Sequence, residues 1–184
     1  MPVSIVPRSS PISSSDGFPR RQTSTTDCVR RRRASQTWVA DARANTGAEQ
    51  VAAEFRVCDA EAIAEAGQFD LILVLEALHD MARPVDVLRS LRTALAPGGS
   101  ILIADEKVAD RFHAPGDEIE RLMYGWSIVH CLPVAMADSP SAAIGTVIRT
   151  DIVRELAAAA GFASVDVLKV NAGFFRIYRL SLDS

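Results

Sequence analysis

Residues 38–184 predict an α/β open sheet, and three observations carry that reading. Two short runs, Asp70–Leu75 (DLILVL) and Ser100–Ala104 (SILIA), are apolar without alternation, as parallel strands covered on both faces are. Segments with helical spacing lie between and after them. Near the end, Val165–Val170 and Phe174–Leu180 flank Asn171-Ala172-Gly173, a three-residue loop with glycine that suits a hairpin.

The elements follow in order. Val39–Asn45 reads as a short helix, with Gly47 placed to end it. Glu54–Cys58 (EFRVC) reads as a strand with Asp59-Ala60 at its carboxyl end, and Glu61–Ala66 as a helical turn. After the DLILVL strand, Pro84 suits a first helical turn, and Leu88, Leu91 and Leu95 share one face of a helix over Pro84–Leu95. Pro97-Gly98-Gly99 is a sharp stop before the SILIA strand, which ends in Asp105-Glu106. Asp117–Cys131 carries Ile119, Leu122, Met123, Trp126 and Val129 on one face of a long amphipathic helix. Pro133–Thr150 reads as loop, Thr150 as N-cap of a helix over Asp151–Ala160, and Gly161 as its C′ residue.

Composition bounds the function. The chain has 184 residues, 48% hydrophobic and 23% charged, with a net charge of −3. That is ordinary for a globular domain and excludes a wholly disordered or collagen-like chain. No apolar run is long enough to span a bilayer, and the charge does not suggest a nucleic-acid binder. Cys28, Cys58 and Cys131 are odd in number and far apart, which supports neither a disulfide framework nor a zinc site. The expectation is a reduced, cytoplasmic protein without metal, membrane or nucleic-acid partners. The average hides a split. Residues 1–37 hold 8 Ser, 4 Thr, 4 Pro and 7 Arg against two acids. They carry +5, which leaves −8 in residues 38–184. With so little apolar surface to offset chain entropy, residues 1–37 are expected to be disordered. Arg30–Arg33 suits a basic patch, and the composition also suits a transit peptide. A solvated tail without a role is the plainer reading, because the whole chain favours Arg over Lys, 18 to 2.

The order of elements resembles the second half of the class I S-adenosylmethionine (SAM)-dependent methyltransferases. The stretches that carry the resemblance are FRVCDA (55–60), FDLILVLEALHDM (69–81), LRTALAPGGSILIADE (91–106) and AAAAGFASVDVLKVNAGFFRIYRL (157–180). Residues 116–149 resemble the substrate-side insertion of a bacterial small-molecule subfamily that often has a winged helix in front. The resemblance implies a Rossmann-like open sheet, N-terminally incomplete, with an antiparallel C-terminal hairpin. It also implies an enzyme that uses SAM to methylate a small-molecule acceptor.

The implied roles fall on particular residues. Asp59 and Ala60 match the acidic–small pair that meets the adenine, where an acceptor faces the amino group and a backbone N–H a ring nitrogen. Asp59 capping the next turn is the rival reading. Glu76, at the carboxyl end of its strand, is placed to face the SAM ammonium or sulfonium, or to order the acceptor. A solvated strand-end acid is the alternative. His79 and Asp80 are candidates to take a proton from the acceptor; a His bound to local backbone and an Asp capping the Pro84 helix are the alternatives. Tyr124, Trp126, His130 and Cys131 would shape an acceptor pocket, although Tyr124 and Trp126 also suit core packing.

One family feature has no counterpart. The Gly-rich, GxGxG-like turn, where backbone must approach the cofactor closely, is missing; no GxG occurs in the chain. The expectation is therefore a truncated or frameshifted chain with an incomplete cofactor half. Its Asp70–Leu75 strand would have an open apolar edge, covered by a homodimer or a partner chain. Two other readings stand beside catalysis. One is a non-catalytic remnant acting as a binding or regulatory partner. The other is a nicotinamide-dependent enzyme, which the missing GxGxxG and the terminal hairpin oppose.

Overall fold

A computed structural model describes residues 3–7, 39–45, 47, 55, 58–66 and 68–182. The chain divides into two compact units, Met1–Ser9 with Ala60–Ser184, and Ser10–Asp59. In the second unit residues 39–45 are helical, as their sequence predicts, and Arg43 donates to the Phe55 carbonyl at 2.8 Å. Gly47 is itself helical rather than a terminator. Most of the strand expected at Glu54–Cys58 lies outside the described residues; Phe55 and Cys58 are not in strand.

The larger unit is built on a five-stranded sheet: β1 (Val3–Pro7), β2 (Phe69–Leu75), β3 (Leu95–Glu106), β4 (Ser164–Val167) and β5 (Phe175–Ser181). Its order is β1-β2-β3-β5-β4. β2 and β3 are parallel, with Leu75 opposite Ala104; every other pairing is antiparallel, including the β4–β5 hairpin. β1 corrects two expectations. It lies in the segment expected to be disordered, and it fills the β2 edge expected to be open. An antiparallel strand satisfies the N–H and C=O groups that would otherwise be left on that edge.

Four α-helices complete the unit: α1 (Pro84–Ala94), α2 (Glu118–Trp126), α3 (Leu132–Ala135) and α4 (Thr150–Ala159). α1 buries Leu88 and Leu91, as the periodicity predicts, with Val87 and Ala94; Leu95, expected on the same face, instead begins β3. These join Ile72, Val74, Ile101, Ile103, Val153, Ala157, Tyr178 and Leu180 in one core. Each such aliphatic side chain contributes about 1.5–3 kcal/mol by leaving water. A 3-10 turn, Ala60–Ala66, is tied to α1, where the Ser90 hydroxyl donates to the Glu61 carbonyl at 2.6 Å and Arg83 meets Glu61 at 2.7 Å.

Four local expectations change. Pro97-Gly98-Gly99 does not separate α1 from β3 but lies inside β3, which starts at Leu95. Gly98 takes φ +80°, and a Cβ on Gly99 would sit 2.9 Å from the carbonyl oxygens of Ala96 and Phe69, so the ribbon passes where only glycine fits. Thr150 is the first residue of α4 rather than its cap; its hydroxyl instead meets Arg176 at 3.0 Å and Asp110 at 3.3 Å. Residues 132–135 of the expected loop are helical, continuing α2 through a π-helical turn, Ser127–Cys131. Lastly, α2 does not bury its apolar stripe. Leu122, Trp126 and Val129 are exposed, and Glu120 is the buried residue of this helix.

Candidate active site

The parallel register of β2 and β3 brings the end of β2 beside the last residues of β3. Leu75 faces Ala104, and the Glu76 N–H donates to the Ala104 carbonyl at 3.0 Å, so Glu76 leaves the sheet beside Asp105, which is still paired in β3. Glu76 takes φ +52°, a left-handed turn uncommon outside glycine, which bends the chain back over the strand ends. A 3-10 turn, Leu78–Asp80, then places His79 above β3.

His79 is buried, at 2% exposure, among carboxylates. Its Nδ1 lies 2.5 Å from Asp105 Oδ1 and 3.4 Å from Glu106 Oε2, and its Nε2 lies 3.4 Å from Asp80 Oδ1. Asp105 is fully buried. One oxygen each of Asp80, Asp105 and Glu106 is buried without a hydrogen-bond partner. Burial alone would lower the His79 pKa, but the Asp105 hydrogen bond and the charges of Asp105, Glu106 and Asp80 raise it to about 9. Burial and neighbouring Asp105 push Glu106 up to about 8. Glu76 is also raised, by burial and then by Asp105, with His79 opposing. The strand ends thus concentrate negative charge around a single imidazole.

Residues 127–149 close over this loop. The Gly145 N–H donates to the His79 carbonyl at 3.2 Å, and the Ala142 N–H to the Ala82 carbonyl at 2.8 Å. Ser127 Oγ accepts from the Thr146 N–H at 3.1 Å. Arg149 holds the outer part. It pairs with buried Glu120, donates to the Ala109 carbonyl, and reaches Tyr124 Oη at 3.1 Å.

The methyltransferase domain family matches residues 31–103. Similar folds include an O-methyltransferase family protein from Burkholderia thailandensis, with TM-score 0.57 and 18% identity over 79% of this chain and 41% of that one. LaPhzM gives TM-score 0.59 and 19% identity over 80% and 41%. A methyltransferase-domain match over part of the sequence and a methyltransferase-like fold thus coincide in this chain. Human N-acetylserotonin methyltransferase in complex with SAM also aligns, with TM-score 0.50 and 18% identity over 71% of this chain and 34% of that one. The chain described here spans about two-fifths or less of the length of these structures. No curated protein matches it.

The candidate residues divide by what surrounds them. Glu76, His79 and Asp80 come together at the strand ends, and Cys131 joins them from the π-helical turn. His79, Asp80 and Cys131 each offer a ligand atom within 4.8 Å of the other two. Asp59 closes the smaller unit and Ala60 opens the larger one. Tyr124 stacks edge-to-face on Phe112, with centroids 6.3 Å apart. Trp126 is 56% exposed rather than packed in a core. His130 is exposed, with Nδ1 3.6 Å from Cys131 Sγ. The Cys131 thiol is raised to about 11 by burial and by the charges of Asp80 and Glu106, against a bond from Thr146, so it is no nucleophile near neutral pH. A groove of about 550 Å³ opens one residue beyond Glu106, between Lys107, Asp110, Ile119, Phe174 and Arg176; it is lined by none of the His79 cluster.

Residue-by-residue reading of the sequence missed Asp105, Glu106, Thr146, Glu120 and Arg149. A signal for the first two was present: two parallel strands each followed directly by acid, at the end of the sheet where ligands bind. No local signal marks Arg149 or Thr146, which act across 29 and 19 residues of chain.

Proposed function

We propose that this chain transfers a methyl group from SAM to a hydroxyl of a small-molecule acceptor, with His79 as the proton acceptor and Asp105 as the residue that positions it. The observation that carries the reading is the 2.5 Å contact between His79 Nδ1 and Asp105 Oδ1. It fixes the ring and leaves Nε2 as the basic nitrogen once His79 is neutral. SAM supplies an electrophilic methyl. As the acceptor O–CH3 bond forms and the S–CH3 bond breaks, the hydroxyl proton passes to His79 Nε2, and S-adenosylhomocysteine leaves. Asp105 and Asp80 stabilise the imidazolium so formed. In-line alignment contributes alongside the base.

The strand ends suit such a ligand. Glu76 is exposed at the mouth, and its raised affinity for a proton marks a position where a positive group is welcome. The sulfonium and ammonium of SAM are such groups. Asp59 and Ala60 are the proposed contacts for adenine, and the groove beside Phe174 and Ile119 is the proposed approach for the acceptor. The missing GxG supports one rival, a binding or regulatory partner that lacks turnover.

Calorimetric titration of S-adenosylhomocysteine, with NAD as control, tests the reading together with methyl transfer from labelled SAM to a panel of hydroxylated aromatic acceptors. Micromolar binding, about −8 kcal/mol, with turnover lost in His79→Gln, is expected. A folded chain that binds neither ligand overturns catalysis and leaves the partner reading.

A further inference from the structure

The carboxylates on the Nδ1 side of His79 are matched on the Nε2 side by a different donor set. Asp80 Oδ1 lies 3.4 Å from Nε2, and Cys131 Sγ completes a trio whose ligand atoms all lie within 4.8 Å of one another. Thr146 borders the Cys131 thiol. It is fully buried, and apart from that thiol neither its Oγ1 nor Asp80 Oδ1 has a hydrogen-bond partner. Buried acceptors left unpaired are costly, so they point to a group that the protein atoms alone do not supply.

Imidazole nitrogen, carboxylate oxygen and thiolate sulfur are the donor types of tetrahedral zinc sites. Ligands about 2.0–2.3 Å from a zinc ion lie roughly 3.5 Å apart, so closure asks for a contraction of about 1 Å at the widest pair. The Asp105 bond to Nδ1 is the second shell that such a site needs: it holds the ring and directs the Nε2 lone pair at the ion. A thiolate and an imidazole together favour zinc over magnesium or calcium.

We propose that His79, Asp80 and Cys131 form a binding site for a thiophilic divalent cation, zinc by preference, with Thr146 or a water in the fourth position. Binding releases the Cys131 proton to solvent and engages the His79 lone pair. Resting on the reading of His79 as proton acceptor, the consequence is regulatory: the ion occupies the nitrogen that the acceptor proton must reach, and methyl transfer stops until the ion is removed.

Cobalt(II) is the probe, titrated into the full chain with Cys28→Ser and Cys58→Ser so that Cys131 is the only thiol. Expected are visible bands of tetrahedral cobalt and a near-ultraviolet sulfur-to-cobalt band, saturating at one equivalent and reversed by zinc. Cys131→Ser should remove the sulfur band, and His79→Gln should weaken binding by at least tenfold. Cys131→Ala, checked by circular dichroism, serves if the serine variant does not fold. Binding without a sulfur band, or no binding by a folded chain, overturns the site. If the bands appear but zinc leaves methyl transfer unchanged, the site stands and the His79 base reading falls.

Discussion

Asp105 Oδ1 and His79 Nδ1 lie 2.5 Å apart with both side chains almost wholly out of water, Asp105 at 0% and His79 at 3% exposure. The two residues are 26 apart in sequence and come from adjacent parallel strands. Asp105→Asn removes the charge but keeps a hydrogen-bond partner. The His79 pKa should then fall from about 9 toward the ordinary 6.5, read by NMR of the imidazole. The rising limb of any methyl-transfer pH profile, set by loss of the His79 proton, should move down with it. A profile that stays in place would detach His79 from the proton transfer.

Stability should decline as pH rises. His79 is raised to about 9, so its contribution is complete below about 6.5 and is lost as pH passes through about 9. Glu106 is raised to about 8, so the folded state favours its neutral form and loses that advantage as pH climbs from 4.5 through about 8. Both act in the same direction. The melting temperature should be higher at pH 6 than at pH 9.5, and Glu106→Gln should flatten the slope. A curve rising across that range would contradict the cluster.

Glu120 is 2% exposed and depends on Arg149 for its counter-charge. Arg149→Met should cost about 3–5 kcal/mol by leaving a buried carboxylate unpaired. Adding Glu120→Met should recover most of that loss, because the pair as a whole is worth far less than one charge left alone. Urea denaturation of the single and double variants separates these outcomes.

Gly99 has no room for a side chain. A Cβ would stand 2.9 Å from the backbone oxygens of Ala96 and Phe69, neither of which can swing away as a side chain does. Gly99→Ala should destabilise by roughly 1–3 kcal/mol. Gly125→Ala, where a Cβ meets nothing within 4 Å, is the control and should be neutral or mildly stabilising.

Trp126 is 56% exposed. Trp126→Gln should change stability by less than about 0.5 kcal/mol. A loss above about 2 kcal/mol in chemical denaturation would mean that the apolar stripe of α2 is covered after all.

The sequence by itself determined most of the periodic elements and the resemblance to methyltransferases. DLILVL and SILIA are strands, as their short apolar runs predict, but burial alternates along them: Ile72, Val74, Ile101 and Ile103 are buried, Leu71, Leu73 and Leu102 half-buried, and Leu75 exposed. Leu88 and Leu91 pack inward because helical spacing leaves them one face. The terminal hairpin follows from a short loop with glycine. His79 and Asp80 were legible as candidates because they follow a strand at its carboxyl end. Tertiary structure decided the rest. The partners of His79 depend on the register between β2 and β3, which no local pattern encodes. α2 turns Glu120 inward to Arg149, a charged contact between distant residues, and leaves Trp126 exposed, neither of which helical spacing reveals. The edge of β2 is filled by Val3–Pro7, since strand pairing depends on backbone groups that every residue carries and composition does not reveal.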